Sequence, residues 1–413
     1  MNTHSEARLK RSLSLPLITI YGLGTMVGGG FYALLGKVAG HAGMLAPVSF
    51  LVAAGVAFVT ALSFGELAAR YPYSAGESRY VHEAFRRPRL SIMIGWLVIA
   101  TGIVSAATLA NAFAGFLQDL IVLPIGWGVV LLVVALCAVS IWGISQSVLL
   151  AGLITVIEVG GLIYVLVTVR GQWAELPLRW KELVPSFQVE PWSGILAGSF
   201  LAFYAYIGFE DMVNEGEEVL EPSRNLPRAI LIALVVTAAL YLLVAIPAVL
   251  MVPPAQLAAA RTPLALLVPQ ESNTARVMIV CVSMLAGVNG ALVQLIMASR
   301  VAYGMSDNGM GPAILARVHS RTHTPIAATL LMAVLILVFG LWLPLEVLAR
   351  LTSAIMLVNF TAVNLSLVVI KLRSHEIDGE GPRHSIWVPV VGGLLCLVFL
   401  VFQCWIAVFG VTP

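Results

Sequence analysis

Apolar residues gather in runs along this chain, separated by short polar stretches. A helix needs about 20 consecutive apolar residues to cross a hydrocarbon core roughly 30 Å thick. Windows of that kind fall at 14–38, 44–69, 91–119, 122–142, 147–169, 191–215, 228–252, 275–305, 325–342, 345–370 and 386–410. The pattern predicts an all-α polytopic membrane protein with about eleven transmembrane helices. Two of the runs do not read as plain spans. In the first, Tyr21 to Gly36 packs Gly22, Gly24, Gly28, Gly29 and Gly30 into mid-span. Each interior Gly costs a helix about 1 kcal/mol against Ala. Three in a row predict an unwound segment, which lipid tolerates only where it lines a protein cavity. The competing reading is that the glycines serve close helix packing.

The sixth run carries the second anomaly, between Ser199 and Ile230. Aromatic residues crowd a single Gly208, with Glu210 and Asp211 following at membrane depth. Each half of the chain therefore opens on a helix interrupted near its middle. The first run enters from one side and the sixth from the other, so the halves are inverted repeats, about 14–169 and 191–370, with an extra helix at about 386–410. Paired interruptions at corresponding places are the best sequence pointer to a transporter's binding site. No linker or low-complexity stretch divides residues 1–413, so a single transmembrane domain is expected.

Charge sets an orientation. With the N-terminus inside, Arg8, Lys10, Arg11, Arg70, Arg79, Arg86, Arg87, Arg89, Arg224, Arg228, Arg300, Arg317, Arg321, Lys371, Arg373 and Arg383 fall on the cytoplasmic side, sixteen of the 23 Lys and Arg residues. This positive-inside bias predicts a multi-pass protein of the cell (inner or plasma) membrane with a cytoplasmic N-terminus. The first run is too long for a signal peptide and lacks a small-residue cleavage site. Composition agrees: 60% of residues are hydrophobic and 11% charged, with mean hydropathy +0.96. A soluble domain carries about 25% charged residues. A net charge of +2 gives no reason to expect a nucleic-acid partner. Cys137, Cys281, Cys396 and Cys404 lack metal-site spacing and read as packing residues.

Four stretches resemble the amino acid–polyamine–organocation (APC) superfamily of transporters. GTMVGGGFYALLG (24–36) is similar to its first-helix glycine motif, and FGELAARYPYSAGESRYVHEAF (64–85) to its second-helix exit. FYAYIGFEDMVNEGEEVLEPSRNLPRAI (203–230) resembles its sixth-helix motif, and ASRVAYGMSDNGMGPAILARVHSRTHTP (298–325) the end of its eighth helix. The resemblance implies a five-plus-five inverted-repeat (LeuT-like) fold with discontinuous helices 1 and 6. Many relatives have twelve spans against eleven here, and Gly29 stands where serine or alanine is frequent.

The resemblance also implies site residues. An amino acid's α-carboxylate would bind amides of Gly29 and Gly30 beside a bend at Gly28, a use that fits the positive end of a half-helix. Its ammonium would meet the carbonyls of Met26, Tyr204 and Ile207. Tyr204 aligns with the aromatic gate of related transporters. Glu210 matches an acidic family position and reads either as a brace or as a proton-coupling group. Glu158 is a lone mid-span carboxyl where some proton-coupled relatives carry lysine. It reads either as a coupling group or as an acceptor of structural hydrogen bonds. Thr101, Ser105, Ser283 and Asn289 are candidates for the side-chain pocket. None is charged, which favours small or apolar neutral L-amino acids.

The function expected is secondary active transport of an amino acid by alternating access, coupled to protons, with sodium left open. An obligate exchanger or exporter is the alternative, and a non-transporting sensor a further one. No metal or organic cofactor is expected. An enzyme is not, because HExxH, GxSxG and intramembrane histidine are lacking, and GxxxxGK[ST] is missing for a nucleotide-driven pump.

Overall fold

The computed structural model describes residue 11 and residues 13–409, apart from 73–75, 143–144, 187, 308, 320–321, 323 and 374–380. Arg8, Lys10 and Arg321 of the charge set lie outside the described residues. The first predicted span is two helices, α1 (Leu15–Val27) and α2 (Gly29–Ala42), and α3 (Ala46–Arg70) is the second. A link helix, α4 (Gly76–Phe85), leads to α5 (Pro88–Leu117), α6 (Ile125–Trp142) and α7 (Ser145–Thr168). The loop expected after the fifth span is itself helical: two 3-10 turns flank α8 (Leu176–Arg179). Arg179 holds that loop by bonding Glu175, Glu182 and the Leu250 carbonyl. The sixth span is α9 (Val189–Tyr204), an irregular stretch, and the short α10 (Asp211–Asn214). Then come α11 (Pro222–Met251), the short α12 (Pro254–Ala259), α13 (Asn273–Asp307), α14 (Ile326–Trp342), α15 (Leu345–Arg373) and α16 (Trp387–Phe409). The architecture is all-α and polytopic, as the hydropathy pattern predicts.

Local sequence explains the punctuation. Proline stands in the first turn of α3, α5 and α11, where its missing N–H is no loss. Between α2 and α3 one 3-10 turn reverses the chain, and Gly43 takes φ +58° to do it. Contacts give the directions. Gly30 lies against Tyr204 and Gly194 against His41, so α2 runs antiparallel to α9. Ser49 Oγ donates to the Ile195 carbonyl of α9 and Phe64 packs edge-on to Phe209 in the stretch after it, so α3 runs parallel to the sixth span.

The most extensive pairings are α5 with α13 and α3 with α11. Lipid gives helices little hydrophobic drive to associate, so close backbone approach matters more. At Gly102 of α5 an added Cβ would lie 3.0 Å from the Cβ of Ala298 on α13. Overpacking there would cost about 1–3 kcal/mol. Charges sort to the two ends of the bundle. At one end Glu66 holds Lys371 Nζ at 2.6 Å and also bonds Arg70 and the His384 amide. At the other, Glu346 holds His41 at 2.7 Å and Arg350 at 3.0 Å. Of the four cysteines, Cys137 and Cys396 are packed inside as expected, whereas Cys281 and Cys404 are exposed on the outer faces of α13 and α16.

Candidate substrate-binding site

The two helix interruptions meet. α1 ends at Val27 and α2 begins at Gly29, with Gly28 between them at φ −49°, ψ −169°. Gly28 has no side chain to cap α2, so the first amides of α2 are left for another acceptor. Opposite, α9 stops at Tyr204 and residues 205–210 form successive turns before α10. Gly208 adopts φ +129°, and a Cβ there would fall 2.7 Å from the Thr25 carbonyl oxygen. Only glycine suits that backbone. Thr25 Oγ1 donates to the Gly208 carbonyl at 2.8 Å and stitches one break to the other. The Tyr241 hydroxyl of α11 stands 2.7 Å from the Met26 carbonyl and 3.0 Å from that of Ala205, so its single proton serves either half-helix end. Phe31 stacks on the same tyrosine ring at 4.1 Å.

A small cavity lies where the breaks face each other. Its volume is about 30 Å3, counted as the space open to the centre of a water molecule. A water needs at least about 10–15 Å3 on that measure, so the space suits about two. All six residues expected to bind substrate through their backbone line it: Met26, Gly28, Gly29, Gly30, Tyr204 and Ile207. Close approach leaves little room beyond glycine at two of these positions. A Cβ on Gly29 would lie 2.8 Å from Leu109 and 3.1 Å from the Gly287 backbone; on Gly30 it would lie 3.1 Å from the Tyr204 ring. Gly28 is different, because a methyl group there would have no atom nearer than 3.7 Å. Tyr204 is pinned across the cavity, its hydroxyl 3.0 Å from Ser105 Oγ and donating to the Ser105 carbonyl at 3.2 Å.

Of the side-chain pocket candidates, Ser105 lines the cavity and the other three do not. Thr101 donates to Leu97 O at 3.0 Å and Ser283 to Ile279 O at 2.8 Å, each on its own helix. Asn289 stands beside Glu158 instead. Glu158 is fully buried on α7, and neither carboxylate oxygen lies within hydrogen-bonding geometry of a described polar group, despite that neighbour. Its backbone carbonyl accepts a 2.6 Å bond from Tyr32 of α2. Glu210 accepts a 2.8 Å bond from the Gly208 amide and folds back over the break rather than into the cavity.

Thr25, Leu109, Gly290 and Val293 also line the cavity without having been singled out in the sequence, and two further lining residues missed there, Asp211 and Gln294, bear on substrate choice. Asp211, for which the sequence supports no role, reaches the cavity wall, and Gln294 of α13 lies within 3.5 Å of it. The Gln294 side-chain oxygen is buried without a partner among the described residues. An acidic pair following Gly208 was the available signal, but it could not say which member faces inward.

A family model described as amino acid permease matches residues 13–413. The chain belongs to the amino acid permease family. The family lies within the APC superfamily and is one of transporters, not enzymes. The permease is 30% identical over 409 residues to a human protein named cationic amino acid transporter 4, covering 91% of this chain and 62% of the human one. It is 26% identical over 431 residues to the branched-chain amino acid permease BcaP of Bacillus subtilis, covering 98% and 91%. A cationic amino acid transporter 3 of Arabidopsis thaliana, named mitochondrial, is 27% identical over 393 residues, covering 89% and 63%. The permease thus spans less than two thirds of the human and plant relatives and most of the bacterial one.

Proposed function

We propose that this permease is a secondary amino acid transporter that works by alternating access around the cavity between the two helix breaks. One observation carries the reading: the amino end of α2 and the carbonyl ends of α1 and α9 converge on a single buried space. A zwitterion fits that polarity, its carboxylate on the Gly29 and Gly30 amides and its ammonium on the carbonyls opposite. Tyr204, over Gly30, is the gate. The cavity is walled by Leu109, Ile207 and Val293, which suits a small or apolar side chain. Glu158 supports coupling to protons, because a fully buried carboxyl with a neutral amide beside it and no charged or hydrogen-bonding partner among the described residues calls for a proton or a bound cation to neutralise it. The membrane is the cell membrane, with the N-terminus inside.

A second reading of the substrate is favoured by Asp211. A fixed carboxylate beside an unpartnered amide oxygen offers a seat for a cationic or hydrogen-bond-donating side chain. The names of the relatives divide the same way, between cationic and branched-chain amino acids.

Uptake of labelled amino acids into liposomes holding the purified protein tests both. Small neutral amino acids should accumulate under an inward proton gradient. Movement only against a trapped amino acid would replace symport with exchange. Uptake of lysine or arginine that Asp211→Asn abolishes would establish the second reading. Binding with no movement under any gradient would overturn transport in favour of a sensor.

A further inference from the structure

A second, larger cavity lies away from the helix breaks, between the C-terminal half of α3 and the first turns of α11, with residues 381–384 beside it. Its volume is about 410 Å3, within the range of small-ligand sites. One wall is apolar, from Leu62 of α3 and Pro227 and Leu231 of α11. Its rim carries Arg224, Arg228 and His384. Arg228 is exposed and forms no ion pair among the described residues. Among the described residues Arg224 pairs with Glu221 alone, 3.9 Å away, with both side chains largely exposed; such a pair contributes little and does not commit the guanidinium.

Depth identifies the occupant. Trp387, exposed at the start of α16, lies three residues beyond His384, and tryptophan concentrates at the membrane–water boundary. Along α11 the exposed residues Ile232, Val235 and Val236 continue from Arg228 and Leu231, and on α3 exposed Phe58 stands one turn from Leu62. An apolar track therefore leads from the lipid-facing surface into a cavity whose mouth holds two arginines. Basic pockets between transmembrane helices suit anionic headgroups.

We propose that the cavity between α3 and α11 binds an anionic phospholipid, its phosphate on Arg224 and Arg228 and an acyl chain along the track past Leu62 and Leu231. The site is independent of the substrate cavity. Because α3 and α11 both pack against the broken helices, a bound lipid would brace the bundle that carries them.

Native mass spectrometry of the full-length protein, taken from nanodiscs of phosphatidylcholine with or without phosphatidylglycerol, tests this. The wild type should retain phosphatidylglycerol about tenfold over phosphatidylcholine. An Arg224→Gln/Arg228→Gln variant should lose that preference, while Arg317→Gln, a neutralisation away from the cavity, should keep it. Leu231→Trp, which leaves both charges and fills the apolar wall, should also lose retention, so a double variant that fails to fold does not leave the question open. Inorganic phosphate should not displace the lipid. Equal retention of the two lipids by the wild type, or an unchanged preference in the double and Leu231 variants, overturns the proposal. Full displacement by inorganic phosphate overturns it in favour of a simple anion site.

Discussion

Three consecutive glycines do three different things at the first helix break. Gly28 supplies the bend, at a negative φ of −49° and with 3.7 Å of clearance for a Cβ. Gly29 and Gly30 are tightly packed, with Leu109, the Gly287 backbone and the Tyr204 ring pressing on them, so a side chain larger than a methyl would displace their neighbours. Gly28→Ala should therefore leave substrate affinity within about threefold of wild type, since an unobstructed methyl costs little. Gly29→Leu should abolish binding. Titration of the purified variants with labelled substrate checks both, and wild-type affinity in Gly29→Leu would move the carboxylate site elsewhere. Glu158 is the other residue whose role can be isolated. Glu158→Gln keeps the shape and removes the ionisable group, so it should abolish accumulation driven by a pH gradient while sparing exchange. Continued concentration of substrate by the mutant would make Glu158 a structural residue.

Between elements, the link helix α4 is the part with a titration to measure. It packs against α5 and α15, and its first residue touches α10: a Cβ on Gly76 would lie 2.9 Å from Val213 and 3.0 Å from Asn214. Glu77 is buried there, close to the Glu210–Asp211 pair. Burial pushes its carboxyl from an ordinary value of 4.5 up to about 7, a backbone hydrogen bond opposing the shift. The unfolded chain releases this proton near pH 4.5 and the folded chain holds it to about 7, so folding takes up a proton in that window. Stability contributed by Glu77 is thus complete below about pH 4.5 and is lost as pH rises to about 7, an effect on the order of 3 kcal/mol. The apparent melting temperature in detergent should fall over that range, and Glu77→Gln should flatten the fall. Both helix breaks were legible because glycines in an apolar run are a local signal that no span requires. The inward turn of Asp211 was not, because residues 205–210 leave the helical period and erase the phase that would orient α10. Nor could periodicity tell that Thr101 and Ser283 spend their hydroxyls on their own helices, or that Gln294 faces the cavity from α13. The Tyr241 hydroxyl shared between Met26 and Ala205 depends on a packing of α11 that sequence does not reveal.

At the scale of the whole molecule the site is closed. A cavity with room for about two waters does not hold an amino acid, so substrate entry requires one end of the bundle to part. Ties at both ends oppose that movement. The Glu66 cluster joins α3 to α15 and to the segment before α16. The Glu346 cluster joins α15 to His41 of α2, and Arg350 extends it to Gln403 of α16. If α1, α2, α9 and α10 rock as one body with α3 and α11, which pack against them, the His41–Glu346 contact must break when the end near Gly43 opens, and the Glu66–Lys371 contact when the other end opens. Its partners are about a third exposed, so solvent screens the pair and its loss is worth about 1 kcal/mol. That corresponds to roughly a fivefold change in a two-state ratio. Glu346→Gln should therefore raise the open population at that end about fivefold. The readout is the labelling rate of Gly28→Cys, a cavity-lining position with clearance for a Cβ, by a membrane-impermeant thiol reagent in a background without the native cysteines. Neutralising Lys371 by Lys371→Met should lower the same rate, because it frees the opposite end instead. A result in which both variants change the rate in the same direction would mean that the two clusters stabilise the fold as a whole and do not bias its opening.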